Sequence, residues 1–275
     1  MYVIFDIGGT KTRISTSIDG NTVSKVAIFP TPQNFSESIN IIIQTGRKFL
    51  QNKKPTAIAG GIAGIFNENK TKLENTAHLS HDWIGKPIAE ILYNEFKSPV
   101  YLENDTAVAG LGETHFGSGK GYPIVAYITV STGIGGVRII NGTIDEAAIG
   151  FEPGHQFLLI NNTPHTLEYL VSGSGLSTQY GKNAADITDP CVWKTTTRFL
   201  SYGIHNTIVH WSPHAVILGG SLINEHAITL TEIITELQPL LTIFPRMPEI
   251  KASQLGDNSG LYGALCLIKI KNHSL

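Results

Sequence analysis

Tyr2-Val3-Ile4-Phe5-Asp6-Ile7-Gly8-Gly9-Thr10-Lys11-Thr12-Arg13-Ile14-Ser15-Thr16-Ser17-Ile18 is an apolar run, a pair of glycines and an alternating run. That order predicts strand, glycine turn, strand. Gly8 and Gly9 let the backbone take positive φ and come close to a ligand, while Thr10 and Lys11 place a hydroxyl and a cation in the same turn. An anion is the guest such a turn suits. Asp6 would repel a bare phosphate, so its place before the turn argues for Mg²⁺ between carboxylate and phosphates, held directly or through water. Taken alone, these residues also fit an ordinary hairpin with an aspartate before its turn, since Gly-rich hairpins are common.

Working outward, Ile124 to Gly142 repeats the pattern: a β-branched strand, the turn Ser131-Thr132-Gly133-Ile134-Gly135-Gly136, and Arg138 just beyond it. Asn141-Gly142 closes this stretch as Asp19-Gly20 closes the first. One such hairpin in each half predicts two related halves that share a ligand. The chain has no Gly-x-x-x-x-Gly-Lys-Ser/Thr run, and no Gly-x-Gly-x-x-Gly follows a strand, so neither a P-loop nor a dinucleotide fingerprint is expected.

With 275 residues, 41% of them hydrophobic, the chain can build two lobes with a core each. A net charge of −2 without a basic stretch argues against nucleic acid or anionic membrane as partners. Cys191 and Cys266 are too few and too far apart for a disulfide framework or a metal cluster, which fits a reducing cytoplasm. Neither a leader pattern nor an apolar run of about 20 residues is expected to take the chain to a membrane.

Between and beyond the hairpins, Thr22 to Phe29 predicts a third strand and Ser36 an N-cap for a helix reaching Gln51. Thr56 to Gly64 predicts a buried strand that opens into a Gly-rich loop, where Gly64 permits either tight packing or close approach to a ligand. His78, His81 and Asp82 lack the spacing of a metal site and are expected as solvated loop residues. A helix is expected from Pro87 to Phe96. The strand from Ser98 then delivers Glu103-Asn104-Asp105 at its end, where open α/β sheets bind ligands. Asp105 there is either a helix cap or a general base, and two phosphate hairpins in the same chain favour the base. In the loop Gly150 to His155, Glu152 and His155 offer an acceptor and a donor suited to a sugar, against the plainer reading of a structural histidine. A long helix from Pro190 to Trp211, a buried strand Ala215 to Gly219, a helix from about Glu225, a strand Glu249 to Ala252 and a final helix Gly260 to Lys271 complete the expectation.

Asp6-Ile-Gly-Gly-Thr-Lys11, Glu103-Asn-Asp-Thr106 with Gly112-Glu113, Ser131-Thr-Gly-Ile-Gly-Gly136, Gly150-Phe-Glu-Pro-Gly-His155 and Leu218-Gly-Gly-Ser221 resemble, in order, the motifs of the ROK family of sugar kinases and sugar-responsive repressors. The resemblance implies an α/β, two-lobed, actin-like (ribonuclease-H-like) ATPase fold with a cleft between lobes at 1–107 and 108–259, and a helix at 260–275 returning to the first. It implies ATP-dependent phosphorylation of a hexose, glucose or an N-acetylhexosamine, at the 6-hydroxyl. Asp105 would be the base. Gly64, Asn104, Asp105, Glu152, His155 and Glu168 would hold the sugar. Asp6, Gly8, Gly9, Thr10, Lys11, Thr132, Gly133 and Gly135 would hold Mg²⁺ and the phosphates, with Gly219 and Gly220 beside the nucleoside. Glu168 enters only because Leu167-Glu168-Tyr-Leu-Val-Ser-Gly173 resembles the family's Leu-Glu-x-x-x-Ser-Gly. Hexose and ATP are then the partners, and a homodimer is left open. One departure stands out. Most of the family follow the Gly-His with a zinc-binding run of three cysteines, and Gln156 to Leu167 contains none, so no zinc is expected. The alternatives are a sugar-binding protein without catalysis or a repressor. Family repressors carry a helix-turn-helix before the first hairpin, where this sequence has Met1 alone.

Overall fold

The computed structural model describes residues 1–51, 53–145, 147, 149–224 and 227–273. They divide into two compact units, the first from Met1–Gly117 with the described residues of 146–150 and 257–275, the second from Ser118–Asp145 and Phe151–Gly256. In the first unit the chain forms β1 (Tyr2–Ile7), β2 (Lys11–Ser17), β3 (Ala27–Pro30), α1 (Phe35–Leu50), β4 (Ala57–Ile62), β5 (Ile65–Phe66), β6 (Leu73–Asn75), α2 (Ile88–Phe96), β7 (Val100–Asn104) and α3 (Asp105–Phe116). The five-stranded sheet runs β3-β2-β1-β4-β7. The hairpin pairs β1 and β2 antiparallel, with Asp6 opposite Arg13, whereas β4 and β7 continue in parallel. Val3, Phe5 and Ile7 pack with Ile39 and Ile42 of α1. Alternation along the strand gives Ile4 and Asp6 to the other face.

The second unit contains β8 (Ile124–Val130), β9 (Ile134–Ile140), β10 (Thr143–Ile144), β11 (Phe157–Ile160), β12 (Thr163–Thr166), α4 (Leu167–Val171), α5 (Gly173–Tyr180), α6 (Pro190–Trp211), β13 (Ala215–Gly219), α7 (Leu230–Leu237) and β14 (Glu249–Ala252). Its main sheet runs β10-β9-β8-β13-β14. Here too a hairpin leads, its outer strand is extended antiparallel, and two parallel strands follow. The two units therefore repeat one sheet plan, as the two hairpins predicted. The chain ends in α8 (Ser259–His273), which packs on α3 in the first unit. Glycines make that crossing close: a Cβ at Gly263 would strike the Val108 carbonyl oxygen and one at Gly112 the Ser259 carbonyl oxygen. The boundary expected after residue 107 falls inside α3, all of which lies in the first unit.

Three local expectations are corrected. The third strand starts at Ala27 and not at Thr22, because the Asp19 carboxylate accepts the Thr22 N–H and hydroxyl, each at 2.9 Å, and folds that stretch into a turn. Helix α1 is capped by Asn34, whose Oδ1 accepts the Glu37 N–H at 3.0 Å, so Ser36 falls within the first turn. Phe35, buried edge-on against Trp83 with ring centroids 5.0 Å apart, fixes that entry. Helix α7 begins at Leu230 behind the cap Thr229, and Glu225 lies outside the described residues. No described helix is long and apolar enough to cross a membrane.

Candidate active site

In the first unit the sheet carries Asp6 at the end of a buried strand and Asp105 just past the end of β7. Asp105 is the first residue of α3 and not its cap. Asn104 caps, with Oδ1 accepting the Ala107 N–H at 3.0 Å and Nδ2 donating to the Gly64 carbonyl at 3.1 Å. Gly61 of β4 makes room, since a Cβ there would lie 2.8 Å from the Asp105 Cα. Burial, opposed by the bond from the Thr106 N–H and by the nearby His78, raises the Asp105 carboxyl above its ordinary range. Asp6 is pushed up to about 7, first by burial and then by the charge of Asp105, against the pull of Arg13. Two partly buried carboxylates thus stand close enough for the charge of Asp105 to oppose the ionisation of Asp6.

Gly8 and Gly9 do not take the expected positive φ. The glycine at position 9 answers instead to a close approach, because a Cβ there would lie 2.8 Å from both the Cβ and the carbonyl oxygen of His78. His78 is solvent-exposed, as expected, yet it lies against the turn and acts on Asp105. The sequence offered no signal for that contact, which links residues far apart along the chain. The turn itself is tied at Gly8, whose N–H donates to the Lys11 carbonyl at 3.0 Å and whose carbonyl accepts the Thr31 hydroxyl at 2.8 Å. Thr10 and Lys11 are exposed beside it. Gly64 does require glycine, with φ of 150° and the Asn75 carbonyl oxygen 2.8 Å from where a Cβ would stand.

In the second unit the Ser131–Gly133 turn is held by the start of α5: Gly173 N–H donates to the Ser131 carbonyl at 2.7 Å and Ser174 N–H to the Thr132 carbonyl at 3.0 Å. Next to it opens a cavity of about 930 Å³, lined among others by Ser131, Thr132, Ser174, Trp193, Ser221 and Asn224. Gly219 and Gly220 are not in its lining. Gly219 ends β13 against the Tyr127 side chain, and Gly220 follows at φ 95° with the Val130 backbone too close for any side chain. Gly133 and Gly135 also stand outside the lining, and Gly136 lies under Pro153. Glu168, in the first turn of α4, accepts the Ile134 N–H through Oε2 at 2.7 Å, which joins it to the second hairpin. Glu152 and His155 bracket a short 3-10 turn, both exposed, with the His155 N–H donating to the Glu152 carbonyl at 3.0 Å.

Residues 2–271 match the ROK family. The chain belongs to that family. A Bacillus subtilis (strain 168) protein provisionally named a fructokinase is 27% identical over 95% of this chain and 93% of its own length. The N-acetyl-D-glucosamine kinase of Haemophilus influenzae (strain 86-028NP) is 26% identical over 98% of this chain and 100% of its own. Among solved structures, a ROK family glucokinase from Streptomyces griseus in complex with glucose and AMPPNP superposes with a TM-score of 0.80, at 24% identity, over 97% of this chain and 98% of that one. The fold is accordingly the actin-like α/β ATPase fold.

This ROK protein fills the cysteine-free segment with the β11–β12 hairpin, paired from Phe157↔Thr166 to Ile160↔Thr163. Asn161 and Asn162, at φ of 50° and 61°, make its turn. Gln156 anchors the base, donating to the Pro153 carbonyl at 2.8 Å and accepting from Asn206 Nδ2 at 2.9 Å. Among the described residues no group of three or more His, Cys, Asp or Glu could hold a metal ion.

Proposed function

We propose that the protein is an ATP-dependent sugar kinase that phosphorylates a hexose at its 6-hydroxyl. The observation that carries this reading is the partly buried Asp105 carboxylate, freed from capping by Asn104 and set beside Asp6 and a phosphate-type glycine turn. The named kinases among the relatives support it. Asp105 accepts the proton of the attacking hydroxyl, and its raised affinity for protons suits a base. Asn104 keeps one amide N–H for a neighbouring sugar hydroxyl after bonding Gly64 with the other. The turn from Gly8 to Lys11 and the turn at Thr132 to Gly135 serve the phosphates, and the cavity beside Ser131 takes the nucleoside. Glu152, His155 and Glu168 serve ring hydroxyls. Positioning supplies most of the rate in such a transfer.

Asp6 suits Mg²⁺, because its carboxylate lies near that of Asp105 and has the Arg13 Nη1 no nearer than 3.7 Å, beyond hydrogen-bond distance, and Mg²⁺ needs only one or two carboxylates when phosphates and waters complete its shell. When bound, the ion neutralises charge on the phosphates. Glucose, fructose, N-acetylglucosamine and N-acetylmannosamine are the acceptors to compare. The test measures ADP release with Mg-ATP against this panel and reads the phosphorylated position by NMR. A 6-phosphate on one ring sugar is expected. Phosphate on a ring or anomeric hydroxyl, or no turnover with any hexose, would overturn the proposal.

A further inference from the structure

Arg13 stands opposite Asp6 in the β1–β2 ladder, a position from which it could bond that carboxylate directly. It does not. Its Nη1 remains 3.7 Å from Asp6 Oδ2, while Nη2 makes a 2.8 Å bond to Oδ2 of Asp257, the residue at which the chain re-enters the first unit. The Arg13 side chain is only 11% exposed whereas that of Asp257 is 76% exposed, and the Arg13 Nε is buried without a hydrogen-bond partner. With Nε unheld, the contest between the two carboxylates sets where the cation sits. Asp6 itself is fenced on the α8 side, where a Cβ at Gly260 would lie 2.6 Å from the Asp6 Cγ. Retreat in that direction is closed to it.

We propose that Asp257 is a positioning residue that holds the Arg13 guanidinium off Asp6 and so leaves the Asp6 carboxylate open to a divalent cation. The inference rests on the reading of Asp6 as the metal-side carboxylate. Without Asp257, Arg13 closes on Asp6 and competes with the metal; without Arg13, nothing is left for Asp257 to restrain. Two residues that touch neither metal nor substrate therefore set the metal affinity in opposite directions.

The test is Mn²⁺ binding in the presence of AMPPNP, read from the free-Mn²⁺ electron paramagnetic resonance signal, so that turnover is not involved. Asp257→Asn should weaken Mn²⁺ binding about tenfold, the range for residues that orient a metal ligand. Asp257→Glu should keep the parent affinity, and Asp257→Asn combined with Arg13→Gln should regain it. A double variant that stays as weak as Asp257→Asn would show Asp257 to be merely structural and would overturn the inference, as would an Asp257→Asn variant with the parent affinity. Asp6→Asn separates the two levels. If it binds Mn²⁺ like the parent, the reading of Asp6 fails and the inference with it. If it loses binding while Asp257→Asn does not, the inference alone fails.

Discussion

Asp105 and Asp6 are two carboxylates of one sheet end for which we propose different tasks, and each can be tested by removing its charge alone. Asp105→Asn keeps the shape and the first turn of α3 but not the basicity, so turnover should fall by roughly 10²-fold or more. Sugar binding by calorimetry should survive, and near-normal turnover would remove Asp105 from the base role. For Asp6, the folded value of about 7 lies above its ordinary 3.8. Between those two values the folded protein holds a proton that the unfolded chain has released, so this residue lowers stability as pH rises from about 4 to about 7. Asp6→Asn should therefore melt above the parent at pH 8, without ligands, and much less so at pH 4. Equal differences at both pH values would contradict the cause given for the shift. The sequence made both aspartates legible through their neighbours: a glycine pair after one, a strand end before the other. It could not show His78 against Gly9, nor that Asn104 and not Asp105 would be the cap. Contacts between separate stretches decide both.

Among the elements, the hairpins, the parallel strands behind them and the long α6 were readable from period and punctuation. The third strand is shorter than the run from Thr22 to Phe29 predicts, because the Asp19 carboxylate commits the backbone at Thr22 to a turn. The glycines of α8 had no visible reason in the sequence. The structure supplies one in the backbone-to-backbone approach to α3. Gly263→Ala should force the two helices apart and cost about 1–3 kcal/mol, measurable as a lower urea midpoint. An unchanged midpoint would mean that the crossing is softer than its geometry indicates. The β11–β12 hairpin makes a similar point. Its Asn161-Asn162 turn between short runs is a hairpin signal carried by the sequence itself.

At the scale of the whole molecule, the repeated sheet plan could be anticipated from two similar hairpins in the two halves, whereas the cavity beside Ser131 could not, because its lining comes from separate stretches between Ser131 and Glu232. Purified protein should carry no stoichiometric zinc by elemental analysis and should melt at the same temperature with and without a strong chelator. Tightly held zinc whose removal unfolds the protein would refute this. The packing of α8 on α3 also bears on how the molecule is made. The first unit draws on both ends of the chain, Met1–Gly117 and the stretch that begins at Asp257, so a ribosome has finished the whole second unit before the last helix of the first can emerge. Until then α3 lacks the α8 backbone that approaches Gly112 and the Val108 carbonyl, and the sheet face carrying Asp6 lacks the cover that α8 gives it. The nascent chain thus carries an exposed apolar surface for as long as synthesis of the second unit takes, which makes the first unit the part that would need a chaperone's protection.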